Sequence, residues 1–167
     1  LSKIEEIYLS GTAASDVGFA YIAQNPFKRV QLSGTYIGDS TAHALQEMPL
    51  KSLELDFVSL GRSGWGAISK MIEIKELGLM GTNISSNDLR NIIRSYSIRR
   101  LDLSSTIIRD EDLSYSGQNT NLKILRLNNT SITDQGLMNF CSMEDLRELS
   151  VINTNTTCES LEHLKIG

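Results

Sequence analysis

One hydrophobic pattern, apolar-x-x-apolar-x-apolar, recurs seven times along the chain: Ile4–Leu9, Phe27–Leu32, Leu50–Leu55, Ile74–Leu79, Ile98–Leu103, Leu122–Leu127 and Leu146–Val151. The copies start at residues 4, 27, 50, 74, 98, 122 and 146, so their spacings are 23, 23, 24, 24, 24 and 24 residues. The period-two alternation at the end of each copy predicts a short strand with one face buried. A fixed period of this length marks a repeat architecture, in which each unit is one small supersecondary element stacked on the next.

The phase continues past each strand. Thr stands three residues beyond the last strand apolar at Thr12, Thr35, Thr82, Thr106, Thr130 and Thr154, with Val58 as the exception. Two residues later a second apolar slot holds Ala14, Ile37, Leu60, Ile84, Ile108 and Ile132 and, less suitably, Thr156. Ser15-Asp16, Gly38-Asp39, Arg109-Asp110 and Thr133-Asp134 then read as the N-cap and first turn of a short helix. Apolar pairs three apart follow: Phe19 with Ile22, Ala42 with Leu45, Leu89 with Ile92, Leu137 with Phe140, and Leu161 with Leu164.

A strand and a helical turn of this size cannot bury an apolar face alone, so neighbours must stack to close a continuous core. Strands about 4.8 Å apart in one parallel sheet give a stack of roughly 30 Å. The threonines then form an internal column, each hydroxyl expected to donate to a carbonyl of a neighbouring coil.

These residues resemble the leucine-rich repeat family, whose signature L-x-x-L-x-L-x-x-N-x-L is matched over essentially the whole chain with Thr at the usual Asn position. Ile132-Thr133-Asp134-Gln135-Gly136-Leu137 is similar to the I-T-D-x-G-L of the cysteine-containing subfamily in a shortened repeat. The ribonuclease-inhibitor and plant subtypes fit less well. The resemblance implies an α/β solenoid of seven repeats, with a curved parallel sheet on the concave face and short helices on the convex face. Residues 1–167 are read as a single domain, a fragment of a larger protein whose uncapped ends invite flanking domains or self-association.

Two segments break the repeat. Gly61-Arg62-Ser63-Gly64-Trp65-Gly66 is expected to replace the cap and early helix with a glycine-rich turn, Trp65 filling the helix's leucine slot. No Lys follows at P-loop spacing, so a phosphate cradle is disfavoured. Ser114 to Asn121 is too polar for a good helix and reads as an extended or loosely turned convex segment.

Recognition is expected on the concave face, where three columns project. The first reads Glu6, Arg29, Ser52, Glu76, Arg100, Ile124 and Glu148; the second Tyr8, Gln31, Glu54, Gly78, Asp102, Arg126 and Ser150. The column after the strand reads Ser10, Ser33, Asp56, Met80, Ser104, Asn128 and Ile152. Their mixed signs suit a variable protein-contact surface. Arg100, Asp102 and Arg126 form the expected charged centre, with Glu54 beside it and Ile124, Met80 and Ile152 as apolar contacts. Tyr8 and Arg29 form a second anchor, because Tyr and Arg are favoured interface residues. The competing reading is that these charges pair across strands and contribute little. The second motif position is cationic in six repeats: Lys28, Lys51, Lys75, Arg99, Lys123 and Arg147. This ridge either receives an acidic partner, with marked salt dependence, or lays aliphatic stems along the core edge; the second reading is preferred.

Composition narrows the remaining classes. With 40% hydrophobic and 22% charged residues the chain is globular, and with 6% aromatics the core must be aliphatic. A net charge of −4 argues against a nucleic-acid binder, and no apolar run reaches membrane-spanning length. Cys141 and Cys158 are too few for a disulfide scaffold or a thiolate metal site. Cys141 suits the convex core and Cys158 replaces the capping Asp. The thiols favour a cytoplasmic setting, while sequons at Asn83, Asn128, Asn129 and Asn155 pull toward secretion or delivery into a host cell. His43 and His163 fall on separate convex helices, with no nucleophile or metal motif, so neither an enzyme nor a cofactor or metal is expected. Lipid or glycan binding has only Tyr8 for aromatic support. The sequence therefore reads as a protein-interaction module. Three contexts stay open: a ubiquitin-ligase substrate adaptor, a bacterial effector or surface protein contacting host proteins, and the recognition domain of an enzyme whose catalytic part lies elsewhere.

Overall fold

The computed structural model describes residues 4–93, 97–114, 121–141, 143–159 and 162. Seven three-residue strands, β1 (Glu6–Tyr8), β2 (Arg29–Gln31), β3 (Ser52–Glu54), β4 (Glu76–Gly78), β5 (Arg100–Asp102), β6 (Ile124–Arg126) and β7 (Glu148–Ser150), form one sheet in sequence order. Every pairing is parallel and advances by one repeat, so Ile7, Val30, Leu53, Leu77, Leu101, Leu125 and Leu149 make a single row. That row points inward, and the residues flanking it form the two outward columns anticipated for the concave face.

The return path of each coil is helical in most repeats: α1 (Asp16–Ala20), α2 (Asp39–Gln46), α3 (Arg62–Ile68), α4 (Ser86–Ile93) and α5 (Asp134–Leu137). Coil five makes only a 3₁₀ turn, Asp110–Leu113, and a second 3₁₀ turn, Met138–Phe140, extends α5. Between sheet and helices runs one core from Phe19 to Met143, built almost wholly of strand leucines, the second apolar slot and the helix pairs. Leu161, Leu164 and His163 lie outside the described residues, as does most of the polar segment after Ser114.

The expected glycine-rich turn in coil three is instead α3, with Gly61 as its N-cap. Glycine's poor helix propensity is outweighed by a steric need from the coil before. A Cβ on Gly61 would lie 2.6 Å from Asp39 Oδ2, and one on Gly64 would lie 2.4 Å from Asp39 Oδ1. Trp65 does occupy the leucine slot, 2% exposed. Its Nε1 donates to Asn83 Oδ1 at 3.1 Å. Asn83 Oδ1 also accepts from the Leu60 amide, and its Nδ2 donates to the Leu60 carbonyl, so the side chain of this sequon acts as a peptide bridge between coils three and four.

The threonine column is buried from Thr35 to Thr130, with Thr12 exposed and Thr154 half-buried at its ends, and its bonding differs from expectation. Thr12, Thr35, Thr82, Thr106, Thr130 and Thr154 donate to the carbonyl three residues back in their own coil, at 2.6–2.8 Å, and not to a neighbour. The tight turn explains this. The residue just before each Thr, and before Val58 in coil three, has positive φ: Gly11, Gly34, Phe57, Gly81, Ser105, Asn129 and Asn153. That left-handed step folds the Thr hydroxyl back onto the strand's last carbonyl. Coil-to-coil connection is left to backbone amides, such as that of Gly34 on the Asp56 carbonyl, 2.8 Å.

Coils are also joined by carboxylates. Asp16 Oδ1 accepts from the Gly38 amide (2.7 Å), the Thr41 amide (3.1 Å) and Thr41 Oγ1 (2.6 Å) of the next repeat. Asp39 reaches the Gly61 amide, Asp110 the amide and hydroxyl of Thr133, and Asp134 those of Thr157. The first helical residue of one coil thus bonds the start of the next coil's convex segment.

Candidate recognition face

The outward columns carry most of the charged side chains singled out from the sequence, and the structure sorts them into engaged and free. Arg29 is engaged: its Nη1 donates to Ser52 Oγ at 2.9 Å and to Glu76 Oε2 at 3.1 Å, and its Nε lies 3.8 Å from Glu6 Oε1. Ser52 Oγ in turn donates to Glu76, at 3.0 Å. Tyr8 Oη donates to Glu6, which joins Tyr8 and Arg29 into one polar group. That hydrogen bond is the main reason the Tyr8 hydroxyl titrates above its ordinary value. Tyr8 remains 55% exposed, so its ring is presented to solvent.

The charged centre is looser. Arg126 pairs with Glu148, Nη2 to Oε1 at 2.7 Å and Nε at 3.0 Å. Asp102 Oδ1 accepts from the Ser104 amide of its own coil, at 2.9 Å. Among the described residues, Asp102 makes no ion pair with Arg100 or Arg126. Arg100, Asp102 and Arg126 are register neighbours on β5 and β6, sharing a surface without a common bridge. Glu54 and Ile124 are half-buried in the same columns.

The column after the strand serves a structural role that its residue types alone do not reveal. Ser10 Oγ accepts from the Ser33 amide, Ser33 Oγ from Asp56, and Asp56 Oδ1 from Met80; Ser104 Oγ accepts from Asn128 and Asn128 Oδ1 from Ile152. Each side chain thus caps an amide of the next coil. Met80 has no such acceptor, and the Ser104 amide turns instead to Asp102. Burial pushes the Asp56 carboxyl above its ordinary value; the Met80 amide opposes this, the Asp102 and Glu54 carboxylates reinforce it, and Arg100 relieves it.

The cationic ridge is continuous in the backbone: the amides of Lys51, Lys75, Arg99, Lys123 and Arg147 each donate to the carbonyl of the ridge residue one coil before, at 2.8 Å. Lys28 Nζ pairs with Glu5 at 2.6 Å and Lys51 pairs with Glu73. Among the described residues, no ion pair holds Lys75, Arg99, Lys123 or Arg147.

One residue went unnoticed at the sequence level. Phe57 is 61% exposed and adopts φ +59°, where the equivalent residues are Gly, Ser or Asn. Aligning that column by coil flags it, because a bulky side chain stands among residues that tolerate left-handed backbone. Of the chemical residues, His43 Nε2 meets Ser63 Oγ at 2.8 Å on the exposed helical side. Cys141 is half-buried and Cys158 exposed, both as free thiols. The described residues contain no group of three or more His, Cys, Asp or Glu able to hold a metal. Nor do they include a helix long and apolar enough to cross a membrane.

The sheet, the inward leucine row and the helical return path define an α/β leucine-rich repeat solenoid. Residues 118–141 match the family model described as Leucine Rich repeat. The fold is similar to that of an internalin from Listeria monocytogenes, with a TM-score of 0.51 and 13% identity over 95% of this chain. This chain spans 56% of the length of that internalin. No curated protein matches the sequence.

Proposed function

We propose that this chain is a protein-interaction module whose partner lies across the concave sheet face. The observation that carries the reading is the register of β1–β7, which stacks seven variable pairs of outward side chains into a surface roughly 30 Å long with no covering layer described. Arg100 and Tyr8, both exposed and without an ion pair among the described residues, are the main anchors. Glu54, Asp102 and Ile124 complete the contact. Arg29 and Arg126 enter through their existing pairs with Glu76 and Glu148, which a partner's charges would have to replace.

A second reading, a bacterial effector or surface protein that contacts host proteins, is supported by the likeness in fold to an internalin. The four ridge cations without an ion pair among the described residues, Lys75, Arg99, Lys123 and Arg147, suit an acidic stretch of that partner. No catalytic step is proposed for any residue.

Affinity capture with the chain beside an Arg100→Ala/Asp102→Ala/Arg126→Ala variant tests the concave assignment. Loss of the wild-type partners from the variant is expected; capture of the same partners in the same amounts by both would refute it.

A further inference from the structure

The two halves of the cationic ridge differ in the counter-charge that the chain itself supplies. Lys28 pairs with Glu5, and Lys51 with Glu73. Glu73 stands just before the motif of coil four. The same slot holds the uncharged Ser97 and Asn121 in coils five and six, and in coil seven Asp145, which makes no ion pair among the described residues. Glu73 is held below its ordinary carboxylate value chiefly by Lys51, and Lys75 contributes least to that effect. The acids adjoining the ridge along the strands, Glu76 and Glu148, are taken by Arg29 and Arg126.

Lys75, Arg99, Lys123 and Arg147 are all exposed, whereas Lys51 is half-buried. The stem-covering role preferred for the ridge from the sequence therefore accounts poorly for these four. The amides of Arg99, Lys123 and Arg147 each donate to the ridge carbonyl one coil before, at 2.8 Å, which holds four like charges in line. Like charges on adjacent strands are destabilising, and an anion laid along the line relieves them.

The spacing of the line discriminates between anions. Coils rise by about 4.8 Å, which places the four cations at about 0, 4.8, 9.6 and 14.4 Å along the stack. At about 1.5 Å per residue, positions i, i+3, i+7 and i+10 on one face of a helix stand at about 0, 4.5, 10.5 and 15 Å, within about 1 Å of each cation. An extended segment presents the same face only every 6.7 Å or so, roughly, and loses step by the second cation.

We propose that Lys75, Arg99, Lys123 and Arg147 form a docking strip for an acidic helix of the partner protein, lying along the stack with carboxylates at i, i+3, i+7 and i+10. Charge complementarity selects the occupant and the coil rise selects its form. The inference rests on the reading of the chain as an interaction module and gives the partner's acidic stretch a conformation.

The test is amide chemical-shift titration of the chain with two stapled alanine-rich helices of identical composition. One carries four glutamates at i, i+3, i+7 and i+10, and the other has the same four divided between opposite faces. An alternating Thr-Glu peptide and an oligothymidylate of equal charge complete the set. The striped helix is expected to shift the Lys75, Arg99, Lys123 and Arg147 amides saturably, to bind about fivefold or more tighter than the other three probes, and to weaken as salt rises. Arg99→Gln/Lys123→Gln should weaken it about fivefold or more with a melting temperature no lower than the parent's, and Lys28→Gln/Lys51→Gln should leave it within about twofold. Equal affinity for both helices, tighter binding of the Thr-Glu peptide or the oligothymidylate, or binding indifferent to salt or to the Arg99/Lys123 variant would overturn the proposal. If the striped helix fails while the Arg100/Asp102/Arg126 variant still loses its partners, the strip is wrong and the concave reading stands; if the helix binds and that variant keeps its partners, the reverse holds.

Discussion

Single carboxylates in this molecule titrate in opposite directions according to what surrounds them. Burial raises Asp16, but donors from Thr41 and the amides of Gly38, Thr41 and Ser40 outweigh it and hold the carboxyl below its ordinary value. Its contribution to stability is therefore present above the unfolded value of about 3.9 and lost as pH falls through the lower folded value. Melting temperature followed down the acid range should fall less steeply for Asp16→Asn than for the parent; parallel curves would remove Asp16 from the coil-joining role. Asp56 has the reverse sign. Its folded pKa is raised, so its ionised form is a burden at neutral pH that is relieved as pH falls through that value. Asp56→Asn should melt higher than the parent at pH 7, and the gain should vanish near about pH 3, where both residues are neutral.

At the level of the coil, the first helical Asp and the third helical position of the next repeat act as a pair. Thr41 donates to Asp16, whereas Gly64 and Gly136 make room: a Cβ on Gly136 would lie 2.3 Å from Asp110 Oδ1. Gly64→Ala improves intrinsic helix propensity by about 1 kcal/mol, yet should destabilise the protein by about 1–3 kcal/mol because Asp39 must move from the Gly61 amide. In an Asp39→Ala background the same substitution should become stabilising, and a double-mutant cycle by denaturant melting reads the reversal. This pairing explains why sequence reasoning recognised the Asp residues as cap positions but not their bonds to the next coil. A cap is a local pattern, whereas the stacking partner lies 22 or 23 residues away. It also explains the misreading of α3, where glycines that look like turn residues serve a neighbour's carboxylate. The strand columns were legible for the opposite reason: period-two alternation and constant repeat length fix both face and register. Phe57 stayed hidden because positive φ leaves no mark on hydrophobic periodicity.

Across the whole molecule, the net charge of −4 conceals an uneven distribution on the sheet. Cations line the strand entries, four of them without an ion pair among the described residues. Glu54, Asp56 and Asp102 gather near the exits, with Arg100 beside them. Such polarity gives a partner an orientation as well as a surface. The central claim is that this sheet, and not the helical side, meets the partner. Photo-cross-linking tests it most directly, with benzoylphenylalanine placed singly at Tyr8, Glu54 or Arg100 on the sheet and at Tyr21 or Met138 on the helical side. The account predicts partner adducts from the three sheet positions and none from the helical pair; adducts from Tyr21 and Met138 alone would contradict it.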